Sequence, residues 1–204
     1  MIRKTEKPFV IDIKARDLNE PIFTFYLEFI EIKRLYRQGW LRKDIPKSMC
    51  ESVADHILGV AVLAWLICDE YLPQLNPSKV MRMALIHDLP EALIGDITPH
   101  DGISAKEKED MEIKALDRLF LRFSKKNEYM SIFREYSKGA TEEARFVREL
   151  DKLEMALQAF VYEKGGGSDL EEFFMHTKEI LKNHHLIKIF NQMDVVRKKV
   201  SGIF

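Results

Sequence analysis

Cysteine is nearly missing from this chain: Cys50 and Cys68 are the two in 204 residues. Two thiols make no disulfide framework, so the sequence predicts a reducing, cytoplasmic setting. Glycine and proline are scarce too, 9 and 7 respectively, and long stretches run without a breaker. An excess of either charge is also absent. Thirty-two Lys and Arg against 33 Asp and Glu leave a net −1, which removes the main electrostatic motive for gripping nucleic acid or anionic membrane. No 18-residue apolar run occurs and no charged-then-apolar leader opens the sequence, so neither membrane insertion nor export is expected. What is present is 46% hydrophobic and 32% charged residues, the balance of a soluble globular protein. A domain of this size buries roughly 70% of the surface its unfolded chain exposes and needs no staples.

The long segments repeat apolar residues at three and four, which is helical spacing. Residues 21–37 place Phe23, Tyr26, Leu27, Ile30 and Leu35 on one stripe. Residues 52–71 carry Val53, Ile57, Val60, Ala61, Ala64 and Ile67, and Pro73 ends them. Residues 77–87 turn Val80, Met83, Ala84 and Ile86 inward. After a break over 95–102, residues 104–123 read as a charged helix opened by a Ser104/Glu107 capping box. A helix over 141–164 starts at Thr141 and stops at Gly165-Gly166-Gly167, and two more fill 168–183 and 185–200. Phe9-Val10-Ile11-Asp12-Ile13 has no partner strand, so residues 1–19 are expected to form an irregular arm. No repeat or composition shift marks a boundary. The expectation is one all-α domain, with its core over 21–165 and further helices over 168–204.

Chemistry concentrates in Leu85-Ile86-His87-Asp88-Leu89-Pro90-Glu91-Ala92-Leu93-Ile94-Gly95-Asp96, four titratable groups among apolar ones. A charge in such surroundings must find a cation, a hydrogen bond or a change of protonation. A His-Asp pair alone is weak evidence. His100-Asp101, between Pro99 and Gly102, reads as turn chemistry. Context raises the first pair. His56 points inward from its helix, and so does Asp151 within Phe146-Val147-Arg148-Glu149-Leu150-Asp151-Lys152-Leu153. His56, His87, Asp88 and Asp151 make a mixed nitrogen and oxygen set for a borderline divalent ion such as Mn²⁺, Co²⁺, Fe²⁺ or Zn²⁺. The plainer readings stand beside this one. His56 is then a satisfied core histidine, Asp88 a helix cap boxed with Glu91, and Asp151 an ion-pair partner of Lys152 or Arg148.

His56, His87-Asp88 and Asp151 follow the H…HD…D pattern and resemble the HD-domain metal-dependent phosphohydrolases. Glu51-Ser52-Val53-Ala54-Asp55-His56, His87-Asp88-Leu89-Pro90-Glu91-Ala92 and Gly95-Asp96-Ile97-Thr98-Pro99 are similar to the 5′-deoxynucleotidase branch. The likeness runs over residues 21–165. It implies an all-α, homodimeric enzyme that releases phosphate from deoxynucleoside 5′-monophosphates. It further implies a divalent cation (Co²⁺, Mn²⁺ or Mg²⁺, with Zn²⁺, Fe²⁺ or Ni²⁺ as alternatives) on His56, His87, Asp88 and Asp151. Glu91 and Asp96 match the pair that orients the attacking water or binds a second cation. Arg37 and Trp40 match the segment beside the substrate's phosphate and sugar. Two departures accompany it. The stretch from Trp40 to His56 is longer than the family's, which keeps Arg42 and Lys43 beside Arg37 as phosphate candidates. Pro90 weakens helix hydrogen bonding just after the ligands. Two other readings are kept: an HD-type cyclic-nucleotide phosphodiesterase or triphosphohydrolase, and a non-catalytic nucleotide-binding module with a structural metal.

Overall fold

A computed structural model describes residues 19–166 and 169–200. The expected arm lies outside the described residues, apart from Asn19. The helices are α1 (Pro21–Phe29), α2 (Gln38–Leu41), α3 (Val53–Tyr71), α4 (Pro77–Ile86), α5 (Glu91–Ile94), α6 (Ala105–Leu119), α7 (Lys126–Lys138), α8 (Glu142–Lys164), α9 (Glu171–Ile180) and α10 (His184–Val200). Single 3-10 turns occupy Ile30–Lys33 and Pro99–Asp101. Among the described residues there is no strand, only one isolated antiparallel bridge between Tyr36 and Ser52. No described helix is long and apolar enough to cross a membrane.

The starts of these helices follow their caps. Ser52 accepts from the Asp55 amide and Asp55 returns the bond, a capping box that aims α3. Ser104 and Glu107 do the same for α6, Thr141 caps α8, and Asn76 caps α4. α8 is the central element. It packs against α3, α4, α7, α9 and α10 and buries Phe146, Val147, Leu150, Leu153 and Ala156 along one face. Val60, Ala61 and Ala64 of α3 join this core, with Val80 and Met83 of α4. A second cluster gathers Ile32, Leu35, Val53, Ile57, Leu116 and Phe133. Because α3 feeds both clusters, His56 sits at their seam.

Three expectations fail locally. The predicted helix over 21–37 stops early, because Leu35–Arg37 run extended against Glu51–Val53. Val53 N donates to the Leu35 carbonyl (2.8 Å) and Arg37 N to the Glu51 carbonyl (3.1 Å). Tertiary pairing overrides helical spacing there, and it delivers Arg37 to the head of α3. Phe23 and Tyr26 remain exposed, while Phe25 and Phe29 turn inward, Phe25 stacking on Phe120 at 5.8 Å. Finally, α7 has no counterpart in the sequence expectation. Lys125 at its start makes no capping bond, yet Met130 and Phe133 are buried and Gly139 closes it at φ 58°.

Candidate metal centre

Three helices bring titratable side chains to the surroundings of His56. His56 rides the first turn of α3, and His87 and Asp88 follow the end of α4. Asp151 projects from the middle of α8. His56 and His87 are fully buried and Asp151 is 7% exposed. The His56 Nε2 atom lies 3.3 Å from His87 Nε2, 3.2 Å from Asp151 Oδ1 and 3.6 Å from Asp88 Oδ2. His87 Nε2 is 3.4 Å from the same Asp88 oxygen.

The far side of each imidazole fixes its tautomer. His87 Nδ1 donates to the Ala84 carbonyl at 2.7 Å, and a carbonyl can only accept. His56 Nδ1 donates to Glu154 Oε2 at 2.6 Å. On both rings Nδ1 is taken by its partner and Nε2 is the nitrogen turned inward, the arrangement by which carboxylates and carbonyls orient metal-bound histidines. Donor separations of 3.2–3.6 Å match the edge of a coordination polyhedron whose bonds are about 2.0–2.2 Å. These residues fit a divalent cation. Their mixed oxygen and nitrogen chemistry admits several first-row ions and Mg²⁺.

Electrostatics agree with the geometry. Burial works against the charge on Asp88 and Asp151, but neighbouring side chains outweigh it. His87 and Arg37 hold Asp88 far below the usual carboxylate range, and Lys152 and His56 do so for Asp151. Burial and Arg37 oppose a proton on His56, while bonds to Asp151 and Glu154 raise its pKa to about 9. The same negative field favours a divalent cation in that proton's place. Glu91 behaves oppositely. Burial, then Asp88 and Asp96, push it well above the ordinary value, and its Oε2 atom is buried with no hydrogen-bond partner among the described residues.

Around this point the chain builds a cavity of about 410 Å³. Arg37 lines it, with Nη1 at 3.4 Å from both Asp88 Oδ2 and Asp96 Oδ1. Asp96 also accepts from the Gln38 amide at 2.5 Å. Lys108 and Lys152 bring two further cations to the wall. Arg42 lines it too, engaged with Asp101 at 2.8 Å, whereas Lys43 pairs with Glu172 at 3.2 Å. Trp40 is 1% exposed. Its Nε1 donates to Glu51 at 2.6 Å, and its ring faces Tyr162 and Phe173. Trp40 and Phe173 both line the cavity, so the two rings share its aromatic surface.

The plainer readings are decided residue by residue. Asp88 caps no helix with its side chain; α5 begins after Pro90 with no side-chain cap. The break expected at Pro90 is present as the turn between α4 and α5. Asp151 does pair with Lys152, at 2.9 Å through Oδ2, while its other oxygen faces His56. His100 and Asp101 form a capped turn with Thr98, as expected, yet His100 also borders the cavity. Glu154 is the residue that sequence reasoning missed. Its signal was the three-residue spacing from Asp151, which puts both on one face of α8. A larger apolar groove of about 710 Å³, bordered by Phe25, Phe29 and Leu58, offers a single carboxylate, Asp55, already spent on capping Ser52. Burial pushes both thiols up to about 11, so neither is a ready nucleophile.

Comparison with known proteins agrees with this arrangement. The model of a family described as "HD domain" matches residues 30–193. The 5′-deoxynucleotidase hdd1 of Schizosaccharomyces pombe is 36% identical over 165 residues, 77% of this chain and 80% of that one. The 5′-deoxynucleotidase HDDC2 of Xenopus laevis is 37% identical over 164 residues, 78% and 79% of the two chains. A solved structure of a conserved hypothetical protein from Pyrococcus furiosus superimposes with a TM-score of 0.72 at 33% identity, covering 84% of this chain and 98% of that one. With the family model spanning most of its length and relatives above 30% identity covered over about four-fifths, this chain belongs to the HD-domain family.

Proposed function

We infer that this protein is a metal-dependent 5′-deoxynucleotidase, a single HD domain that hydrolyses deoxynucleoside 5′-monophosphates to deoxynucleoside and phosphate. The observation that carries the reading is the placement of His87 Nε2, Asp88 Oδ2 and Asp151 Oδ1 each within 3.2–3.6 Å of His56 Nε2, beside Arg37 and the buried, unpartnered Glu91 Oε2. The relatives named for this activity supply the substrate class.

His56, His87, Asp88 and Asp151 hold the divalent cation. When bound, such a cation lowers the pKa of water and polarises a phosphoryl oxygen. The remaining residues do the positioning. Arg37, held between Asp88 and Asp96, offers its guanidinium to the phosphate dianion. Glu91 Oε2 orients the attacking water and takes up its proton. Asp96, fixed by the Gln38 amide, assists at the departing 5′-oxygen or at a second cation. Water oxygen joins phosphorus, the bond from phosphorus to the 5′-oxygen breaks, and that oxygen leaves with the proton that Glu91 took from the water. Phosphoryl transfer is mainly positioning and electrostatics, which a rigid helical frame provides.

Two wider features complete the proposal. Leu58, Val62, Trp65 and Leu66 stay between 42% and 62% exposed along one stripe of α3, and we assign that stripe to a homodimer contact. We also propose a cytoplasmic setting, supported by two buried cysteines that form no disulfide. The nucleotidase reading is tested by phosphate release from deoxy- and ribonucleoside mono-, di-, tri- and cyclic phosphates by protein stripped of metal and restored with Co²⁺, Mn²⁺ or Mg²⁺. Turnover is expected for deoxynucleoside monophosphates and to depend on added metal. Turnover confined to cyclic or triphosphate substrates would contradict it. Sedimentation of Trp65→Glu tests the dimer: the variant is expected as a monomer, and an unchanged mass would contradict the contact.

A further inference from the structure

The cavity lining is of two chemical kinds. Asp88, Glu91, Asp96 and Asp151 are acidic, while Ile97, Pro99, Met155 and Phe173 are apolar, and His100 and His176 also belong to the lining. Met155 follows Asp151 by four residues on α8, so one helical turn, about 6 Å, separates acid from apolar surface. A phosphate ester of a small sugar needs only the acidic part. An apolar, aromatic part fits a ligand with a flat ring attached to that sugar.

The α9 side of this apolar part is held in place. The Phe173 ring lies 4.4 Å from Trp40, centroid to centroid, with its edge over Gly39, where an added Cβ would meet Cε1 and Cζ at 3.7 and 3.8 Å. Glu172 ties the first turn of α9 to Lys43 at 3.2 Å. One turn beyond Phe173, Thr177 Oγ1 donates to the carbonyl of Lys152 at 2.9 Å, the residue next to Asp151. The register of α9 is therefore set against the same stretch of α8 that presents the Asp151 carboxylate. His176, three residues after Phe173, shares its helix face and is exposed. The Thr98–His100 part of the lining is fixed as well, since Arg42 grips Asp101 at 2.8 Å and Asp101 caps Thr98.

We propose that the α9 face bearing Phe173 and His176 is the nucleobase subsite of this cavity, with the base stacked on the two rings while the phosphate lies at the acidic part. The proposal rests on the nucleotidase reading above. Ring-on-ring stacking is sequence-tolerant because every base has a π face, and removing one aromatic partner costs a factor of about 5 to 100 in binding.

The test compares 2′-deoxyadenosine 5′-monophosphate with 2-deoxyribose 5-phosphate, which has the sugar and phosphate but no base, in metal-loaded wild type, His176→Ala and Phe173→Leu. His176 is exposed, so its loss does not threaten the fold. Leucine at 173 keeps an apolar contact on Trp40 without a π face. The ratio of kcat/KM for the nucleotide over the sugar phosphate is expected to fall 5- to 50-fold in each variant, through KM. An unchanged ratio in both would overturn the subsite. Calorimetric binding of the same two ligands reads the subsite apart from turnover. If no phosphate is released from either compound, the nucleotidase reading fails, and the subsite stands or falls on whether the variants weaken nucleotide binding selectively.

Discussion

His56 Nδ1 and Glu154 Oε2 lie 2.6 Å apart, across 98 residues of sequence, with both side chains buried. That single bond decides which face of the imidazole looks toward Asp88, Asp151 and His87.

Removing it should therefore cost metal affinity before it costs the fold. Glu154→Gln is expected to weaken divalent cation binding about 10- to 100-fold, the usual penalty for losing the partner of a liganding histidine. Titration calorimetry with Mn²⁺ on the purified variant checks this. Wild-type affinity would show that Glu154 does not orient His56.

Gly59 makes room for that carboxylate. An added Cβ there would fall on Glu154 Oε1, with Cδ at 3.1 Å and Cγ at 3.2 Å. Gly→Ala inside a helix ordinarily stabilises by about 1 kcal/mol. At Gly59 the gain is offset by displacement of Glu154, so Gly59→Ala should change the melting temperature of the metal-free protein little while lowering metal affinity. A clear rise in Tm with unaltered affinity would contradict this.

Asp88→Ala should cut phosphate release by at least two orders of magnitude while leaving the helical circular dichroism of wild type. Asp88 caps no helix and is spent entirely on the site, facing His56, His87 and Arg37. Near-wild-type turnover would remove it from the ligand set.

Glu51 gives a pH signature beside His56 and Glu154. Burial first, then Glu154, raise its pKa to about 7, against the Trp40 bond that lowers it. The folded protein keeps a proton that the unfolded chain gives up near 4.5. The resulting stabilisation, on the order of 2 kcal/mol, is complete below pH 4.5 and is lost as pH rises through 7. Glu51→Gln keeps an acceptor for Trp40 Nε1 and removes the titration. Urea melts of chelator-treated protein between pH 5 and 8 should show wild type losing stability relative to this variant as pH rises. Parallel curves would contradict the assignment.

Much of this was legible in the sequence, for a physical reason. His56 and Asp151 stand on faces otherwise given to apolar residues, and a buried titratable group announces a partner. The cap residues Ser52, Ser104 and Thr141 likewise marked helix starts through their side-chain chemistry. What stayed hidden depends on distant contacts. Arg37 reaches the site because residues 35–37 pair with 51–53, which helical periodicity cannot reveal. α7 lacks a capping side chain, so its burial of Met130 and Phe133 carried no start signal. Glu154 shares a helix face with Asp151, but its bond to His56 shows only when α3 is laid beside α8. Nothing in the sequence shows that Tyr162 and Phe173 pack on the Trp40 ring.

The most direct test of the central claim is metal stoichiometry and affinity measured on wild type and on the four single variants His56→Ala, His87→Ala, Asp88→Ala and Asp151→Ala. The account predicts tight divalent binding by wild type and a loss of at least tenfold in affinity in every variant, with phosphate release from deoxynucleoside monophosphates falling in parallel. Binding that survives all four substitutions, or turnover that persists in fully chelated protein, would contradict it.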